Sequence, residues 1–220
     1  SVLITHHGAF IAQSVDEPLE ERRLAPETVD GITKWLEKFN CHVRIKHERF
    51  SIANRIRENQ SMIAKMTIGD PLFYPVSFVD ELSDHPGEMP VAAPQIEVFF
   101  KDDATFQEAK EGILARFPEV DVYVESKRME IVAKGVSKAA GLRLLGERLG
   151  IPMKEMVAVG DSYADQEMIA EAGLGVAMGN APKAVKANAE WVTRSNDQNG
   201  VSYMVKEVFR KQLRMQIQSL

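Results

Sequence analysis

Val157-Ala158-Val159-Gly160-Asp161-Ser162-Tyr163-Ala164-Asp165 is the stretch on which the fold turns. Its apolar run predicts a short buried strand over 156–159 that delivers Asp161 to its carboxyl end. Open α/β sheets place their ligand sites at that end. Gly160 lets the chain turn there. Asp165 follows four residues later, about one helical turn on, so both carboxylates can face one point. Two carboxylates at a strand end suit a hard cation such as Mg²⁺, which takes one or two carboxylates, phosphate oxygen and water. Spacing alone leaves a second reading open, in which Asp161 caps the next helix and Asp165 lies on the surface.

The neighbouring segments repeat a β-α rhythm. Ser137 to Leu149 reads as a helix with Leu142, Leu145 and Leu149 on one stripe. Asp165 to Ala172 is a helix, Gly175 to Met178 an apolar strand, Pro182 to Ala189 a helix and Trp191 to Thr193 a strand. A final helix runs from Val201, its Lys206, Arg210, Lys211 and Arg214 read as a solvated face. Fully apolar strands alternating with helices predict a parallel sheet covered on both faces. Upstream, Val2 to Ile4 reads as a buried strand and Pro26 to Phe39 as a helix, with Pro26 in its first turn. Cys41 to His47 reads as a half-exposed strand, and Ser51 to Met66 as helical. Gln95 to Phe100, Asp121 to Glu125 and Met129 to Ala133 read as strands, with a helix over Thr105 to Phe117. Trp35, Phe50, Phe73, Tyr74 and Phe78 are expected in the core of this part.

Two further segments carry chemistry. In Lys134-Gly135-Val136-Ser137-Lys138, Ser137 suits an N-cap and puts Lys138 in the first helical turn. A cation there opposes the helix dipole unless an anion is held nearby, and helix N-termini bind phosphate. An exposed lysine is the alternative. Gly173-Leu174-Gly175-Val176-Ala177-Met178-Gly179-Asn180-Ala181 superficially resembles a dinucleotide loop. That fingerprint lies between strand and helix, whereas Gly173 and Gly175 precede the strand. Gly179-Asn180 reads instead as a second loop at the end of the neighbouring strand.

The chain has 220 residues, 45% of them hydrophobic, and a net charge of −5. An acidic chain gives no general pull toward nucleic acid or anionic membrane. No apolar run reaches the roughly 20 residues of a membrane helix. Cys41 is the single cysteine and cannot form an internal disulfide, which suits a reducing cytoplasm; it reads as a structural thiol.

Taken in order, Lys134 to Lys138, Gly160 to Asp165, Gly175 to Ala181 and Val192 to Val201 resemble the consecutive C-terminal motifs of Cof-like phosphatases of the haloacid dehalogenase superfamily. Thr5-His6-His7-Gly8-Ala9 resembles the loop before their cap. The resemblance implies an α/β fold: a Rossmann-like core with an inserted α/β cap. On it, residues 1–12 start the core, 13–127 form the specificity cap and 128–220 complete the core. It also implies Mg²⁺-dependent hydrolysis of a small phosphorylated metabolite through an aspartyl-phosphate. Lys138 would neutralise phosphate and assist catalysis, Asp161 would bind the metal, Asp165 would support the metal site or hold Lys138, and Asn180 would line the pocket.

The sequence departs from the family pattern in three places. The Asp-x-Asp-Gly-Thr nucleophile motif is absent, His7 stands for an asparagine before Gly-Ala, and Ala164 stands for an asparagine before Asp165. The first implies a fragment of a longer product, inactive as it stands, which would cover its missing core strands by oligomerising or swapping strands. A non-catalytic phosphate-binding protein on the same scaffold is the alternative.

Overall fold

The computed structural model describes residues 2–55, 75–83 and 92–218, with side chains of the last helix described up to residue 211. The chain divides into two compact units, Ser1–Ser137 and Lys138–Leu220. Among the described residues no helix is long and apolar enough to cross a membrane.

The first unit opens with an antiparallel meander, β1 (Leu3–Thr5), β2 (Phe10–Ser14) and β3 (Glu17–Glu21). β1 was expected to be buried. It lies at the edge of this meander instead, with Leu3 45% exposed. A three-residue apolar run does not distinguish the two settings. The loop from β1 to β2 passes through the left-handed region at His6 (φ 49°) and His7 (φ 60°). Asparagine and histidine are both enriched in that region, so His7 suits the backbone that this loop adopts. Its Nδ1 lies 3.1 Å from Glu130 Oε2, and its ring packs at a tilt of 32° against Tyr123 with centroids 3.8 Å apart.

A six-stranded sheet follows, in the order β6-β5-β4-β7-β9-β8. Its strands are β4 (Cys41–Lys46), β5 (Ser51–Asn54), β6 (Val76–Val79), β7 (Gln95–Phe100), β8 (Val120–Glu125) and β9 (Arg128–Ala133). All pairs are antiparallel except β5 with β6. Alternation puts Val43, Ile45, Ile96, Val98, Met129 and Ile131 in one apolar layer. Helices α1 (Pro26–Leu36) and α2 (Asp103–Arg116) pack into that layer through Val29, Ile32 and Leu36 and through Phe106, Ala109 and Ile113.

β4 was expected to be half-exposed. It sits between β5 and β7, and His42 and Arg44 on its polar side are also buried. Ser51 to Asn54 was expected to be helical and is a strand, its alternation satisfied by Ile45↔Ile52 pairing. The rest of that expected helix, with Phe73 and Tyr74, lies outside the described residues. The β8–β9 hairpin keeps Arg128–Ala133 in this sheet. Cys41 is buried, and burial pushes its thiol up to about 12. It is therefore a neutral core group at pH 7.

The two helices approach closely because α2 carries Gly112 where Trp35 of α1 crosses. A Cβ at Gly112 would lie 2.2 Å from Trp35 Cζ2. Trp35 cannot easily yield, since its Nε1 donates to Ala109 O at 3.2 Å and Arg116 stacks 3.8 Å above its ring. Gly112→Ala is expected to destabilise the first unit by about 1–3 kcal/mol through overpacking, read as a lower urea midpoint with an unchanged m-value.

The second unit is a parallel sheet, β10 (Val157–Gly160), β11 (Leu174–Ala177) and β12 (Trp191–Val192), in that order. Around it run α3 (Lys138–Leu149), α4 (Gln166–Glu171), α5 (Lys183–Ala187) and α6 (Gly200–Gln218). The expected leucine stripe of α3 is not its buried face: Leu149 is 58% exposed, and the buried residues are Ala139, Gly141 and Gly146. Small residues allow contact too close for leucine, since a Cβ at Gly146 would meet Met156 Cε at 2.2 Å.

Candidate active site at the carboxyl edge of the parallel sheet

β10 ends at Gly160, and the chain passes through a 3-10 turn, Tyr163–Asp165, into α4. Ser162, not Asp161, caps this turn, with Asp165 returning the hydrogen bond in a capping box. Gly160 is required by contact rather than by turn geometry. A Cβ there would lie 2.3 Å from Asp165 Cβ.

Asp165 is 4% exposed. Its Oδ2 accepts from Asp161 N at 3.1 Å, Ser162 N at 2.9 Å and Ser162 Oγ at 2.7 Å. Its Oδ1 accepts from Lys138 Nζ at 2.7 Å. Burial by itself would raise the Asp165 carboxyl; the hydrogen bonds from Lys138 and Ser162 outweigh it and hold the group below the usual carboxylate range. Lys138 is the first residue of α3, so an ammonium group and a helix N-terminus stand together, with Asp165 taking one of the three ammonium protons.

Asp161 is exposed. Its Oδ2 accepts from Asn180 Nδ2 at 2.9 Å, and Asn180 Oδ1 accepts from Asn196 N at 3.0 Å. Asn180 thereby joins the loops that follow β10, β11 and β12. All four residues singled out from the sequence, Lys138, Asp161, Asp165 and Asn180, meet at the carboxyl edge of one sheet.

The two carboxylates are not equivalent there. Asp161 keeps oxygen open to solvent, which fits a cation that uses few protein ligands and keeps its waters. Asp165 has its oxygens committed to the loop and to Lys138, so its geometry supports holding those groups rather than ligating a metal. Among the described residues no three His, Cys, Asp or Glu side chains cluster as a metal cage. Residues the sequence did not flag complete the site: Ser162 as cap and Lys186, whose Nζ donates to Gly179 O at 2.6 Å. Ser162 stands three residues before Asp165, the spacing of a capping box, whereas Lys186 belongs to no motif by spacing.

Lys138 at the start of α3 thus stands with Asp161 and Asp165 of the loop that follows β10. The chain belongs to the haloacid dehalogenase-like hydrolases, whose family pattern it matches over residues 1–205. It is 47% identical over 215 residues to the stress response protein YhaX of Bacillus subtilis, covering 96% of this chain and 74% of that protein. Over 78 residues it is 46% identical to the 5-amino-6-(5-phospho-D-ribitylamino)uracil phosphatase YcsE of the same organism, covering 36% of this chain and 31% of that protein. A haloacid dehalogenase-like hydrolase from Bacteroides thetaiotaomicron shares the fold with a TM-score of 0.78 at 24% identity, covering 94% of this chain and 76% of the other.

Proposed function

We propose that this chain carries the phosphate- and metal-binding half of a Mg²⁺-dependent phosphatase acting on small phosphomonoesters. The observation that carries the proposal is the Lys138–Asp165–Asp161 arrangement: a cation anchored by a buried carboxylate beside a second, open carboxylate. Lys138 and the first-turn N–H groups of α3 meet the phosphoryl oxygens of the substrate. Asp165 fixes the ammonium and the Asp161 backbone. Asp161 would hold Mg²⁺, which when bound neutralises charge developing on the phosphoryl oxygens. Asn180 orients the Asp161 carboxylate.

Residues 13–127 are assigned the selection of the leaving group. The phosphatase name of the Bacillus relative supports phosphoester hydrolysis, and its particular substrate is not carried over. These 220 residues contain no Asp-x-Asp-Gly-Thr run; on this reading the attacking aspartate is not among the residues assigned here, and the chain alone is expected to be inactive.

The test is hydrolysis of p-nitrophenyl phosphate, with and without Mg²⁺, by this chain and by a product that also carries an upstream Asp-x-Asp-Gly-Thr. Mg²⁺-dependent turnover in the second alone is the expected result. No turnover in either, with phosphate still bound, would leave a phosphate-binding protein on a hydrolase scaffold.

A further inference from the structure

We infer that Lys186 is a positioning residue for the Asp161 carboxylate, acting through the Gly179 carbonyl and the Asn180 side chain; only its consequence for metal binding rests on the phosphatase proposal. Asn180 is exposed, yet both ends of its amide are engaged, Oδ1 by Asn196 N and Nδ2 by Asp161 Oδ2. The amide cannot be reversed, because the Asn196 backbone N–H only donates and so must face the amide oxygen. Asn180 is therefore a one-way clip that sets where Asp161 Oδ2 points.

The clip works only if the backbone that carries it is fixed, and Gly179 fixes it. Gly179 N donates to Arg194 O at 3.1 Å, and the residue lies so close to the next loop that a Cβ would stand 2.7 Å from Ser195 N. Its carbonyl then points to α5, where the half-buried Lys186 donates to it at 2.6 Å. A charged donor on a carbonyl forms a stronger bond than a neutral one. Ala181 N closes the same turn onto Met178 O at 2.9 Å. The order of action is thus Lys186, Gly179, Asn180, Asp161. Lys186 itself is separated from the reacting groups by two residues of the loop, so its effect on them is indirect.

Amide hydrogen exchange on the 220-residue chain without metal tests this directly. The Asn196 amide reports the clip, because it donates to Asn180. The Leu174 amide, donated to Met156 O, reports the sheet. Lys186→Met is expected to lower protection at Asn196 about ten-fold, as for loss of one bond of about 1.4 kcal/mol, and to leave Leu174 unchanged. Asn180→Ala is expected to lower Asn196 similarly, and the double variant no further, because the two act in series. Lys186→Arg is expected to keep most of the protection. Unchanged Asn196 protection in Lys186→Met, losses that multiply in the double variant, or equal losses at Leu174 would each overturn the inference.

Calorimetric titration with MgCl₂ gives the metal consequence, with affinity expected to fall about ten-fold in Lys186→Met, as for a group supporting a metal ligand. A wild-type chain that binds no Mg²⁺, while the Asn196 coupling holds, would overturn the metal assignment and leave the positioning chain standing.

Discussion

Asp165→Ala is expected to destabilise the second unit by about 3 kcal/mol. Removing the carboxylate deletes an acceptor for Asp161 N, Ser162 N, Ser162 Oγ and Lys138 Nζ together. Breaking a buried ion pair typically costs about 3–5 kcal/mol. The lower end applies here because the Lys138 side chain is 38% exposed and can recover water. Urea unfolding of the 220-residue chain checks the figure. A loss under about 1 kcal/mol would mean that the Ser162 turn forms without Asp165. The pH dependence carries an independent sign. The Asp165 carboxyl is held below its ordinary value in the folded state, so its contribution is present above the unfolded value near pH 4 and is lost as pH falls through the lower folded value. Wild type should therefore lose stability on acidification below about pH 4, and Asp165→Ala should lose less over the same range.

The parts of this architecture that were legible in the sequence are those where one physical rule dominates. The apolar run before Asp161 is a strand as expected, although Val157 is 40% exposed and Ala158 alone of its residues is fully buried, and the carboxyl edge of the sheet with the residues on it followed from those few letters. The misplaced elements are those where two rules compete. Leu142, Leu145 and Leu149 make a good amphipathic stripe, yet the buried residues of α3 are Ala139, Gly141 and Gly146, the last because the Ile151 carbonyl and the Met156 side chain leave no room for a side chain there. Arg44 and His42 alternate with apolar residues as surface groups do, but on a strand flanked by β5 and β7 they are buried nonetheless. Asp161 and Asp165 look interchangeable by spacing. What separates them is the Ser162 cap and the Lys138 side chain, and the second lies 27 positions away. His7 was legible only as a departure, and it suits the left-handed backbone that the loop adopts. Lys186 had no local signal at all, because its partner is a main-chain oxygen seven residues upstream.

Asp161→Ala is expected to show the opposite pattern from Asp165→Ala, and the contrast separates the two carboxylates by role. Asp161 is exposed, and its side chain accepts from the exposed Asn180. Its removal should change stability by no more than about 0.5 kcal/mol, as for ordinary surface substitutions. In a product that carries the nucleophile motif, the same change is expected to lower kcat/KM for a phosphomonoester by about 10³-fold, equivalent to about 4 kcal/mol of lost transition-state stabilisation. Chelation supplies the internal control. EDTA should reduce wild-type turnover to the level of Asp161→Ala and should leave Asp161→Ala itself unchanged, since the two treatments remove the same interaction. If Asp161→Ala retained turnover that EDTA still abolished, the metal would be held elsewhere and Asp161 would be a loop residue. If stability fell as far as in Asp165→Ala, the open carboxylate would be part of the frame, and the division of labour between holding and binding would be lost. The asymmetry is physically reasonable. On the proposed reading, a carboxylate that exchanges water for metal has to stay open to solvent, as the exposed Asp161 does while Asn180 orients one of its oxygens, and a neighbour whose own oxygens are committed, Asp165, orders the loop.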